Sequence, residues 1–242
     1  MSLLPYVSKR LIFSVVLMSA VVHVSAQVAA TRQGSEYPIS GPLSGDQVVP
    51  SVSLNQNGGY VVWEENGSAR TGSEIRAAKL GAGLGNLSVF TVNKVFKGDQ
   101  RNPQVQMLAD GSAIFAWQSY GLGNADIYAR LVSADGKLSM TDLRVNSTTR
   151  ARGSYSQDQQ SEPVLAPLND GGAMVIWQSY GQDGSMFGIY GRKVSAAGKL
   201  EGSEFLVNQV TVYNQRTPSV TTMANGNIVV VWVSEFERWG NP

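Results

Sequence analysis

The chain has 242 residues, with 19 Lys and Arg against 18 Asp and Glu, a formal net charge of +1, one histidine and no cysteine. A balance this close to zero gives no electrostatic reason to bind nucleic acid or an anionic lipid surface. Without cysteine no disulfide framework exists, so the fold has to rest on core burial, for which the length suffices.

The first element is not part of that core. "MSLLPYVSKR" supplies Lys9 and Arg10, the apolar run Leu11–Val24 follows, and small residues stand at Ala26 and Ala30. That is the order of a secretory signal. A membrane anchor is the competing reading, but it needs about 20 apolar residues. The run here has 14, and Ser14, Ser19 and His23 interrupt it. Residues 1–26 are therefore expected to be a signal peptide and 27–242 a single exported domain, secreted or held at the cell surface, with no membrane span after cleavage. The mature chain keeps 17 basic and 18 acidic residues and loses its only histidine.

After a short predicted strand at Gly34–Ser40, "GSEYPIS", the chain repeats itself. Four segments align: "DQVVPSVSLNQNGGYVVWEE", "DQRNPQVQMLADGSAIFAWQS", "QQSEPVLAPLNDGGAMVIWQS" and "NQRTPSVTTMANGNIVVVWVS". Their prolines are Pro50, Pro103, Pro163 and Pro218, and their tryptophans Trp63, Trp117, Trp177 and Trp232. In each copy the proline opens a first strand, and an Asn-Gly or Asp-Gly turn follows, of the kind two-residue hairpins require. A second strand, such as "AIFAW", is apolar on both faces and so is expected to be buried on both. Three copies continue into "IRAAKL", "IYARLV" and "IYGRKV", and then to strands ending at Asn93, Asn146 and Asn208.

Four-stranded antiparallel units repeating every 53–60 residues predict an all-β, propeller-like array of blades. The blades fall near 45–97, 98–156, 157–213 and, in part, 214–242, giving three full repeats and a half, an array incomplete or open. A β-sandwich of tandem hairpins is the alternative, but a tryptophan at one strand position in every copy favours blades. The pattern Gln-x-x-Pro-x-Val, Asp-Gly-Gly, Trp-Gln-Ser, Ile-Tyr-x-Arg, Asp-Gly, Val-Asn resembles propeller-like repeats of large secreted and surface-attached bacterial proteins. That resemblance implies architecture and export, and no particular activity.

The repeat also supplies a control: what recurs is scaffold, and what appears once is a better candidate for function. Trp63, Trp117, Trp177 and Trp232 recur and are expected to be structural core. Gln47, Gln100, Gln160 and Gln215 each precede the proline by three residues and are expected to satisfy backbone groups between blades. Arg130 and Arg192, at equivalent third-strand positions, read as solvated outward side chains. "GQDGSMFG" contains one carboxylate, Asp183, too few ligands for calcium, which takes six to eight oxygens. No metal and no cofactor are expected.

Catalysis has few means. Without His or Cys in the mature chain no Ser-His-Asp or Cys-His arrangement forms. Carboxylate chemistry on a glycosidic bond remains, with Glu64, Glu65, Asp126, Glu162 and Asp183 as the available groups. The expectation is accordingly a non-enzymatic module for ligand binding or adhesion, the alternatives being a carboxylate-dependent carbohydrate-active enzyme or a fragment of a larger surface protein. Its binding face would carry the loops joining second to third strands and blade to blade, because these vary in length. Tyr120, Tyr180, Asp183, Arg150, Arg152 and Tyr155 are the candidate ligand-binding residues there, for a saccharide or a protein. Exposed strand edges at the two ends of the array would invite self-association.

Overall fold

The computed structural model describes residues 45–66, 72–81, 88–121, 124–147 and 159–235. The signal peptide, the strand at Gly34–Ser40, and Arg150, Arg152 and Tyr155 lie outside them.

All the regular structure described is β. The first blade is β1 (Asp46–Asn55), β2 (Gly58–Asn66), β3 (Glu74–Gly81) and β4 (Val89–Thr91). The second is β5 (Gln100–Met107), β6 (Ala113–Ser119), β7 (Asp126–Val132) and β8 (Leu143–Arg144). The third is β9 (Gln160–Pro167), β10 (Ala173–Tyr180), β11 (Phe187–Val194) and β12 (Leu200–Leu206), and β13 (Gln215–Thr222) and β14 (Ile228–Ser234) form the half blade. Each full blade is a four-stranded antiparallel meander, the half blade is a two-stranded sheet, and no pairing joins one sheet to another.

The hairpins between first and second strands differ from the two-residue turns expected for the later blades. In the second blade the Gly111 N–H donates to Leu108 O and the Leu108 N–H to Ser112 O, at 3.1 and 2.8 Å. That closes a three-residue loop whose last member is Gly111, at φ 85°. A left-handed residue there lets a type I turn follow the twist of the strands, which is why glycine recurs.

Second strands are buried on both faces because blades stack on both sides. In β6, Ala113, Phe115 and Trp117 pack with Tyr60, Val62, Ile75, Ala77 and Val92 of the first blade. The alternate residues Ile114 and Ala116 pack with Leu165, Val175, Trp177 and Val194 of the third. Polar side chains lock the same contacts. Asn93, Asn146 and Asn208 accept the N–H of Ile75, Ile127 and Ile189 at 2.8, 2.8 and 2.6 Å. Gln100 accepts the indole N–H of Trp117 at 2.9 Å, and Gln160 that of Trp177 at 2.7 Å.

Two expectations change here. Arg130 is not an outward, solvated side chain: it donates to Val92 O of the preceding blade at 2.6 Å and to Ser139 O at 2.6 and 2.8 Å. Arg192 repeats this toward Val145 O at 3.0 Å. Trp63, Trp117 and Trp177 are buried, but Trp232 is only half-buried, because no third strand lies beside β14 among the described residues.

Candidate functional site

Every first strand breaks register at its proline. The bulges fall between Val48 and Ser51, between Arg101 and Gln104, opposite Ile176–Gln178, and between Arg216 and Ser219. At each one the residue before the proline is left-handed: Val49, Asn102, Glu162 and Thr217, with φ between 50° and 53°. That conformation is disfavoured for any side chain and most for β-branched ones such as Val49 and Thr217. A bulge inserts one residue and re-aims its side chain, and such strain gathers at working sites.

Three of the four bulge residues, Val49, Asn102 and Glu162, converge on a cleft of about 420 Å³ at the end of the blades where second strands stop and first strands begin. Second strands contribute Glu64, Gln118 and Gln178, each directly after its tryptophan. Arg101, Tyr120, Gln159, Ser161 and Phe187 complete the wall.

The residue after the tryptophan has a structural duty. Gln178 Oε1 accepts the Thr217 N–H across the blade boundary at 2.8 Å, holding the strained bulge. In the first blade the same position is Glu64, whose carboxylate accepts the Asn102 N–H. Gln118 Nε2 donates to the Tyr120 hydroxyl at 2.6 Å, and Gln118 Oε1 takes Asn102 Nδ2 at 3.2 Å. Asn102 Nδ2 also lies 3.2 Å from Glu162 Oε1, so one amide touches both walls of the cleft.

Glu64 is therefore a carboxylate where two other blades place a neutral amide. It is only 6% exposed, and burial pushes its carboxyl above the ordinary value of 4.5. The Asn102 N–H, the positive charge of Arg101 and a hydrogen bond from Asn66 partly offset that rise. Arg101 is itself fixed, 2.5 Å from Asp99 Oδ2 and 5.7 Å above the Tyr120 ring. Glu162 is exposed at the tip of its bulge. The cleft thus holds one carboxyl inclined to keep its proton and one in contact with water, the difference of environment by which two carboxylates divide acid and base duties.

Of the residues singled out from sequence, Tyr120 lines the cleft. Tyr180 stands behind it, edge-on to Phe187 at 5.0 Å between ring centroids. Asp183 does not reach it: its Oδ1 accepts the Ser185 N–H within the turn at 3.1 Å. Among the other carboxylates, Glu65 is buried near Arg76, 3.8 Å away, and Asp126 takes a 2.7 Å hydrogen bond from Asn146. Among the described residues no three Asp, Glu, His or Cys gather to hold a metal ion. The sequence reading missed Arg101, Asn102, Gln118 and Gln178. Their signal was available in the repeat, as two positions per copy, before the proline and after the tryptophan, whose residue type changes while the scaffold does not.

No protein-family model matches this chain, and neither does any curated protein. Solved structures do share its fold. A thermostable family-43 glycoside hydrolase is 13% identical over 77% of this chain and 65% of that one, with a TM-score of 0.50. A family 117 glycoside hydrolase produced by the marine bacterium Zobellia galactanivorans is 11% identical over 79% of this chain and 64% of that one, with a TM-score of 0.51. The chain thus spans just under two thirds of each, and at these identities the likeness is one of fold. It overturns the expectation of a non-enzymatic binding or adhesion module: the solved structures matched are glycoside hydrolases, and the cleft gathers two carboxylates that spacing alone did not bring together. Among the described residues no helix is long and apolar enough to cross a membrane.

Proposed function

We propose that this is an exported carbohydrate-active enzyme that cleaves a glycosidic bond in the cleft between its blades. The observation that carries the reading is Glu64, a desolvated carboxyl in the cleft that Glu162 also lines, at a position where two other blades place glutamine. Glycoside hydrolysis needs a proton donor to the leaving oxygen and a second carboxylate on the other side of the bond. Burial prepares Glu64 to donate. Glu162, exposed at its bulge, is the partner carboxylate. Tyr120, with Gln118 on its hydroxyl and Arg101 on its face, offers a sugar both a ring surface and polar groups. The glycoside hydrolases that share the fold support the same class of substrate, and the segment at residues 1–26 would place the enzyme outside the cell.

The test is a panel of aryl glycosides and plant and algal polysaccharides, scored by released reducing ends. Turnover of at least one member is expected, falling about 100-fold or more in Glu64→Gln or Glu162→Gln with the fold retained. Turnover unchanged in both variants, or none on any substrate from folded protein, would refute the proposal.

A further inference from the structure

The contact between one blade and the next occurs three times in this chain, and each half of it also stands open once. In the first blade Gln47 and Pro50 are exposed and Val52 is 59% exposed. Their counterparts in the second and third blades, Gln100, Pro103 and Val105, and Gln160, Pro163 and Leu165, are all buried against the preceding blade. Trp63 shows the same lack: its indole N–H has no partner, while Trp117 and Trp177 bond to the buried glutamines. At the other end Val231 is 55% exposed, where Val62, Ala116 and Ile176 are sealed by the following blade. Val229 and Val233 extend the same open face of β14.

We propose that a second copy of this chain docks head to tail, its first-blade face on the last-blade face of its neighbour. The continuity with the internal contact carries this. One face lacks a preceding blade, the other lacks a following one, and the same chain bears both. The meeting residues are also matched in character. Inside the chain an amide or carboxylate after the tryptophan meets the next bulge, as Gln178 meets Thr217. At the ends that position is Val233 and the bulge residue is Val49, both apolar and both exposed. A contact made by repeating one interface in one direction is heterologous, so it builds a ring or a chain of copies rather than a face-to-face pair.

Light scattering on the purified protein from about 1 to 100 μM tests this, since assembly depends on concentration. A mass of at least twice that of one chain is expected for the wild type. Val231→Glu and Val52→Glu should each give monomers, and mixing the two should restore a dimer, because one supplies an intact first face and the other an intact last face. Val229→Lys with Leu54→Lys repeats the experiment should either first variant fail to fold. A monomeric wild type across the range would overturn the proposal. Assembly lost in Val231→Glu but kept in Val52→Glu would reveal a symmetric contact through β14 and overturn it equally.

Discussion

Gln100 and Gln47 occupy the same place in successive repeats and should respond oppositely to the same substitution. Gln100 is fully buried, accepts the Trp117 indole N–H at 2.9 Å, and donates to Lys97 O and Gly98 O at 3.2 and 3.1 Å. Gln100→Ala removes three hydrogen bonds of about 1 kcal/mol each and leaves a buried indole N–H with no water to turn to. A loss of about 3–4 kcal/mol is expected. Gln47 makes one exposed bond, to Gly45 O at 2.8 Å, and Trp63 is already unpartnered. Gln47→Ala should therefore stay within about 0.5 kcal/mol of wild type. Urea unfolding followed by tryptophan fluorescence, extrapolated linearly to water, measures both. Equal losses in the two variants, or less than about 1 kcal/mol for Gln100→Ala, would refute the claim that this glutamine locks one blade to the next.

Two further outcomes follow from the same geometry. Arg130→Met should cost about 3 kcal/mol, since it strips the clamp on Val92 O and Ser139 O beside the buried Asp142 carboxylate, and Arg130→Lys should not restore it, because one ammonium cannot reproduce the fork; thermal unfolding of both variants checks this. Glu64→Gln should raise stability at neutral pH and leave it unchanged in acid: the folded carboxyl is raised above 4.5, so the penalty for ionising it is absent below that pH and grows as pH rises through the folded value, and unfolding measured across pH should show the two proteins diverging upward from there.

The blades were legible in the sequence because their determinants are local. Alternation, a proline at each strand start and an Asn-Gly or Asp-Gly turn define each hairpin within about twenty residues, and recurrence fixes the period. Trp117 could be placed in the core from its position in an apolar strand. Arg130 could not be placed, because its partner Val92 lies 38 residues back on another blade. The cleft was hidden for a related reason. Left-handed φ at Val49, Asn102, Glu162 and Thr217 runs against the preference of every one of those residue types, so local propensity points away from it. The bulge is held from the neighbouring blade, as Gln178 holds Thr217. Glu64 was visible as a carboxylate, but its desolvation depends on stacking that no single repeat encodes. The aromatic and arginine residues favoured from loop variability yielded only Tyr120 as a cleft residue, because variable length marks a loop without saying where it points.

The claim that Glu64 is the proton donor is tested most directly by the pH dependence of kcat/KM on whichever glycoside the enzyme turns over best. The alkaline limb should report loss of the Glu64 proton. Arg101 stabilises the ionised form of that carboxyl, so Arg101→Met should carry the limb to higher pH, whatever it does to the height of the profile. An alkaline limb that stays in place in Arg101→Met, or that persists unchanged in Glu64→Gln, would contradict the account.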